Sequence, residues 1–214
     1  RGLELGNAVF TQFEGDPSNY KTMDEKIIDM GAGLERFSWL TQGTPTAYES
    51  VFGDVIDRMI DTCSIVFDKD FLRSYSEFSG MLNLDEVSDI ELSRAHIAKK
   101  LGLEKDVLIN KVTPFESMFA IIDHVKTLVF AISDGALPSN VGGGYNLRVL
   151  LRRSLSKIHS QKWNITLGEI ADWHINYLSQ IYPELHEHRD EILKILEVEE
   201  QRYSNTQERI KKLV

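Results

Sequence analysis

The sequence has 214 residues, 42% of them hydrophobic, enough for one large or two small packed domains, which excludes disorder as the state of the whole chain. A net charge of −9 and a pI near 5.2 exclude a general attraction to polyanions, so any nucleic-acid contact has to come from a local basic patch. The lone Cys63 rules out an internal disulfide and a Cys-based zinc site, and no apolar run reaches the roughly 18 residues of a membrane span, so the expectation is a cytoplasmic protein with no membrane contact.

In chain order, "RGLELGNAVFTQFEG" alternates in part between apolar and polar residues and predicts a strand over 3–13, with a second strand around 24–30. A lone hairpin is marginal in water, so these strands predict a larger sheet around them and a chain that is a fragment. From about residue 33 the pattern is helical. Ser88-Asp89-Ile90-Glu91 reads as a capping box, with Ser88 as cap and Gly102 closing the helix. Thr113-Pro114-Phe115-Glu116 reads as another, with proline in the first turn and the end at Asp134-Gly135. Within that helix Met118, Ile121, Ile122, Val125, Leu128, Val129 and Ile132 recur every three or four residues as one buried stripe.

"SNVGGGYN" (139–146) is the one glycine-rich loop, and "YNLRVLLRRSLSKIHS" follows it. As a helix this stretch gathers Leu147, Leu150, Leu151, Leu155 and Ile158 on one half of the wheel and Arg148, Arg152, Arg153 and Lys157 on the other. A basic ridge after a flexible loop bearing Ser139 and Asn140 suits an RNA backbone and one base edge. An ordinary amphipathic helix, its arginines paired with the surplus of acids, explains the same pattern. Thr166-Leu167-Gly168-Glu169 opens a further capped helix stopped before Pro183, and 184–214 predicts a long, partly exposed helix with a thin seam of Ile192, Ile195, Leu196 and Val198. The spacing of His186 and His188 fits solvated surface better than a metal site, His124 reads as structural, and Trp39, Trp163 and Trp173 read as packing residues.

"KIIDMGAGLERFSWLTQG" carries the most chemistry. Gly31 and Gly33 could open a dinucleotide fingerprint, but Arg36 stands where the third glycine belongs and no βαβ unit surrounds it. Strand, Gly-x-Gly, then helix brings backbone close to a ligand and offers amides to an anion. Arg36 adds a fork of donors suited to phosphate, and Asp29 can receive an ammonium group. A tight strand-to-helix turn with Arg36 in a surface ion pair reads the residues equally well.

"GAGLERF" resembles motif 3 of class II aminoacyl-tRNA synthetases. Together, "ELGNAVFTQFEG", "DMGAGLERFSWLTQG" and "SDGALPSNVGGGYNLRVLLRRSL" resemble the alanyl-tRNA synthetases of the archaeal type, in the expected order and over the entire chain. The resemblance implies a mainly α fold: remnant antiparallel strands of the catalytic sheet and the motif 3 helix over 1–42, then a helical tRNA-recognition bundle over 43–214. It implies ATP-dependent activation of L-alanine, with Mg2+ in the whole enzyme and no metal site in this segment, and transfer to the acceptor stem of tRNA(Ala). By that resemblance Arg36 grips the γ-phosphate beside Gly31 and Gly33, Asp29 holds the alanine ammonium, and Asn7 and Val9 line the amino-acid pocket. Asn140 reads a G·U wobble pair from the minor groove, with Arg148, Arg152, Arg153 and Lys157 along the RNA. Motifs 1 and 2 would lie in the rest of the synthetase chain, so this segment is expected to be inactive alone. A non-catalytic helical RNA-binding module or synthetase-like paralogue is the alternative, and a protein-binding helical bundle the third.

Overall fold

The computed structural model describes residues 3–82 and 89–213 and divides between Val51 and Phe52 into two compact units. The first unit opens with strands β1 (Gly6–Asp16) and β2 (Asn19–Ala32), paired antiparallel from Gly6↔Ala32 to Asp16↔Asn19 with an irregularity between Thr11 and Phe13. β1 ends three residues later than expected and β2 begins five residues earlier, because "GDPSN" is a hairpin tip: the Asp16 carboxylate accepts from the Ser18 amide at 2.9 Å and from its hydroxyl. Gly15, at φ +122, pairs with Tyr20 just before the turn; a Cβ there would sit 2.2 Å from the Asn19 carbonyl oxygen. Among the described residues the sheet has these two strands, and Val9, Phe10, Phe13, Ile28 and Met30 stay exposed. Helices α1 (Leu34–Gln42) and α2 (Ala47–Phe52) follow; Gly43 closes α1 in the left-handed conformation, and the Trp39 indole donates to Thr44 O at 2.6 Å.

The second unit is helical: α3 (Asp54–Cys63), α4 (Lys69–Ser79), α5 (Ile90–Lys100), α6 (Lys105–Ser133), α7 (Gly142–Gln161), α8 (Leu167–Leu178), α9 (Glu184–Glu187) and α10 (Arg189–Leu213). α6 is its axis and packs against α3, α5, α7, α8, α9 and α10. The stripe expected from Met118 to Ile132 is buried throughout, and Leu108, Val112, Phe115 and Phe119 extend it upstream and around. With α6 meeting neighbours on several sides, one amphipathic face would not suffice.

Two helix boundaries differ from expectation. Pro114 does not begin a helix but lies inside α6, which starts nine residues earlier at Lys105. An interior proline costs about 3 kcal/mol, but each buried aliphatic side chain returns roughly 1.5–3 kcal/mol, and keeping the first turns helical buries both Leu108 and Val112. Thr113, read as a cap, donates its hydroxyl back to Ile109 O at 2.7 Å instead. At α5 the cap is Asp89, whose carboxylate accepts from the amides of Glu91 and Leu92; Ser88 lies outside the described residues. α8 ends at Leu178, before Pro183 as expected, and its capping box forms: the Thr166 hydroxyl accepts from Glu169 N–H while the Glu169 carboxylate returns to Thr166. Along α10, Ile192 and Leu196 are buried but Val198 is 39% exposed, and the acid beside it, Glu199, is buried in its place.

His174 ties α8 to α6. Its Nε2 lies 3.0 Å from Ile122 O and its ring meets Phe52 edge-on, and burial pushes its pKa down to about 4. A histidine kept neutral in the fold but free to charge in the unfolded chain stabilises above its ordinary pKa near 6.5. That contribution is lost as pH falls towards 4 and amounts to about 3 kcal/mol at the acid end. Urea unfolding of the chain between pH 7 and 4.5 is expected to show this loss, and His174→Leu to flatten it. Pro114→Ala, restoring a helix N–H, is expected to raise the unfolding free energy by about 1–3 kcal/mol; a neutral or destabilising result would return Pro114 to a helix start.

Candidate functional site

The hairpin sets four of the expected residues beside one another. Asn7 pairs directly with Gly31 and Val9 with Asp29. Residues two apart on a strand share a face, so these two pairs form one continuous patch. Next to it the Gly33 amide donates to Leu5 O at 2.9 Å, which turns β2 into the first turn of α1. The glycines have a definite steric duty. A Cβ on Gly31 would lie 3.0 Å from Asn7 Oδ1, and one on Gly33 would lie 2.9 Å from Arg36 Cδ. Their missing side chains therefore make room for Asn7 and for the stem of Arg36, which folds back over the turn.

Arg36 ends against Glu4, which the sequence reading missed. Its Nη1 donates to Glu4 O at 2.8 Å and lies 3.5 Å from the Glu4 carboxylate, and that carboxylate accepts from Asn7 Nδ2 at 3.4 Å. Arg36 is thus linked to the strand patch through one acid. The contact is open, with the Arg36 side chain 48% and the Glu4 side chain 64% exposed, so it is worth at most about 1 kcal/mol and yields to a stronger anion. Glu4 carried no periodic or motif signal.

The helical unit has its own cluster at the start of α7. The expected glycine loop is largely the first turn of the helix: Gly142, Gly143 and Gly144 are all inside α7. Residues 137–141 are held rather than flexible. Ser139 N–H donates to Gly144 O at 2.9 Å, the Ser139 hydroxyl donates to Val141 O at 2.7 Å, and a Cβ on Gly144 would fall 2.3 Å from Leu137 O. Leu147, Leu151, Leu155 and Ile158 are buried as expected, Leu150 is half-buried, and Arg152 and Arg153 are exposed. Lys157 is half-buried.

Arg148 departs from its place on the solvent half of the wheel. Its side chain is only 15% exposed and reaches Asn140 Oδ1, Pro138 O at 3.3 Å and Glu199 Oε1 at 3.2 Å. Glu199, 7% exposed in its side chain, also accepts from Arg202. Tertiary pairing overrides the wheel here: a buried carboxylate needs a partner, and Arg148 is on the turn that faces it. Glu199 was legible as a charge on the three-and-four spacing of Ile192 and Leu196. Asn140, Arg148, Arg152, Glu199, Arg202 and Tyr203 line a cleft of about 320 Å³ at this point.

Other side chains do structural work. His124 Nδ1 lies 3.3 Å from the buried Ser154 hydroxyl, and burial lowers its pKa. His188 Nδ1 lies 3.0 Å from Ser133 Oγ. Among the described residues no group of three or more His, Cys, Asp or Glu side chains is placed to hold a metal ion, and no helix is long and apolar enough to cross a membrane.

Comparison with known proteins identifies the family. Residues 4–214 match the family model described as tRNA synthetases class II (A). The chain is 45% identical over 213 residues to the alanine–tRNA ligase of Nitrosopumilus maritimus, covering 99% of this chain and 24% of that protein. It is 45% identical to the alanine–tRNA ligase of Cenarchaeum symbiosum and 38% identical to that of Methanosphaera stadtmanae, each across 100% of this chain and 24% of the relative. It therefore spans about a quarter of the length of the curated relatives it matches. With the Gly-x-Gly turn bearing Arg36 and the helical unit both inside the matched span, the chain belongs to the class II (A) tRNA synthetase family.

Proposed function

We propose that this chain is part of an alanine–tRNA ligase, contributing the motif 3 turn and the acceptor-stem-recognition helices to ATP-dependent activation of L-alanine and its transfer to the 3′ end of tRNA(Ala). The observation that supports it most is the pairing Asn7↔Gly31 and Val9↔Asp29 at the mouth of the Gly33–Arg36 turn. It puts a carboxylate, an amide and one small apolar side chain on the same face.

Each group has a part in that chemistry. Asp29 takes the alanine ammonium, Val9 and Asn7 bound the space for a methyl group, and the alanine carboxylate is left to attack the α-phosphate of ATP. Nothing in this step calls for a protein nucleophile; orientation and charge neutralisation supply the rate. Arg36 serves the γ-phosphate over the unencumbered backbone of Gly31 and Gly33. A triphosphate carries more charge than the Glu4 carboxylate, so ATP draws the guanidinium away from that open contact. Mg2+ would accompany ATP in the whole enzyme.

On the helical unit, Asn140 meets a base edge of the acceptor stem, with the G·U pair as its target. Arg152, Arg153 and Lys157 follow the phosphates along α7. Local basicity of this kind gives a salt-sensitive contact even though the chain carries −9 overall.

Arg36→Ala in the full-length synthetase is expected to lower alanine-dependent ATP–pyrophosphate exchange by about 100-fold or more, with a change in unfolding free energy below about 1 kcal/mol because the Glu4 contact is exposed. Unchanged exchange would overturn the nucleotide assignment.

A further inference from the structure

We propose that Asn140 faces RNA as a hydrogen-bond donor only, because Arg148, fixed in place by the buried Glu199, occupies its side-chain oxygen; Arg148 and Glu199 are then positioning residues for base recognition. The inference rests on the reading of Asn140 as the residue that meets the acceptor stem.

A guanidinium has five N–H donors and no acceptor, so the Asn140 atom against Arg148 Nη1 has to be the amide oxygen. The amide nitrogen, with two N–H groups, is then the end left for a partner, and Asn140 is an exposed residue. The backbone on either side is pinned by Ser139 N–H to Gly144 O at 2.9 Å and by the Ser139 hydroxyl to Val141 O at 2.7 Å. The side chain is therefore oriented on a held loop.

Arg148 is itself fixed. Its second terminal nitrogen donates to Pro138 O and to Glu199, and the Glu199 carboxylate sits between Arg148 and Arg202 on α10. Removing that carboxylate leaves two guanidinium groups facing each other without the charge that holds them together. Arg148 would then release the Asn140 oxygen, and the amide would be free to rotate and to offer either end. The functional consequence is geometric: a fixed donor suits a pyrimidine O2 or a purine N3, acceptors that G·U and G·C share but hold at different places on the minor-groove edge because wobble pairing displaces the bases, whereas the guanine amine, itself a donor, needs a different partner.

The test uses the full-length synthetase and two tRNA(Ala) transcripts, one with the G·U pair and one with G·C in its place, and reads the ratio of their kcat/KM values. Damage to the fold lowers both transcripts alike and leaves the ratio unmoved. Asn140→Asp keeps the size and the oxygen facing Arg148 but removes the donor. It is expected to lower the ratio about tenfold, the effect of one well-placed hydrogen bond, as is Asn140→Ala. Glu199→Ala is expected to lower it to a similar extent, and the double variant with Asn140→Ala to lower it no further. If Asn140→Asp keeps or improves the ratio while Asn140→Ala loses it, the donor orientation is overturned. If both Asn140 variants lose it and Glu199→Ala does not, the positioning role of Glu199 is overturned. If Asn140→Ala leaves the ratio intact, the reading of Asn140 as a base contact falls.

Discussion

The helical unit depends on α6 remaining one helix from Lys105 to Ser133 with a proline in its interior. Packing outweighs local preference: the cost of Pro114 is smaller than the burial of Leu108 and Val112 that continuity brings. With α6 in place, α7 and α8 have a surface to pack on, and His174 and Ser154 find their partners on its flank. The exposed turn of α7 that bears Arg152 and Arg153 is thus presented by a rigid support, which suits the RNA contact proposed for it.

In both clusters, small residues give way to polar side chains whose orientation matters. Gly31 and Gly33 leave space that Asn7 and Arg36 fill, and Gly144 lets the loop carrying Asn140 lie against the first turn of α7. In both, an acid, an arginine and an asparagine are linked in one chain of contacts. Glu4 connects Arg36 to Asn7 in solvent, while Glu199 holds Arg148, and through it Asn140, out of solvent. The difference in burial matters functionally. An exposed contact of about 1 kcal/mol or less lets Arg36 change partners, whereas a buried ion pair costs about 3–5 kcal/mol to break and keeps Arg148 still.

Much of this was legible in the sequence where the signal is local. The Thr166–Glu169 capping box, the Gly102 and Gly135 stops, the apolar stripe of α6 and the strand-to-helix turn at Gly33 follow from spacing and residue type alone. What was not legible depends on partners distant in sequence. Thr113-Pro114 has the composition of a helix start, and only the burial of Leu108 and Val112 shows that it is not one. Arg148 belongs to the solvent half of an isolated helix, and only Glu199, 51 residues later, draws it inward. The role of Glu4 likewise rests on a contact 32 residues away. Among the arginines of α7, Arg148 is paired with an acid, as in an ordinary amphipathic helix, while Arg152 and Arg153 remain exposed.

The central claim is that this segment serves alanine transfer to RNA, and it is tested most directly by charging a minihelix that reproduces only the acceptor stem of tRNA(Ala). The full-length synthetase should esterify its 3′ end with alanine in an ATP-dependent reaction, since the contacts assigned to Asn140 and the α7 ridge all lie on that stem. Failure to charge the minihelix while charging the intact tRNA would place recognition elsewhere, and charging with a different amino acid would contradict the pocket assigned to Asn7, Val9 and Asp29.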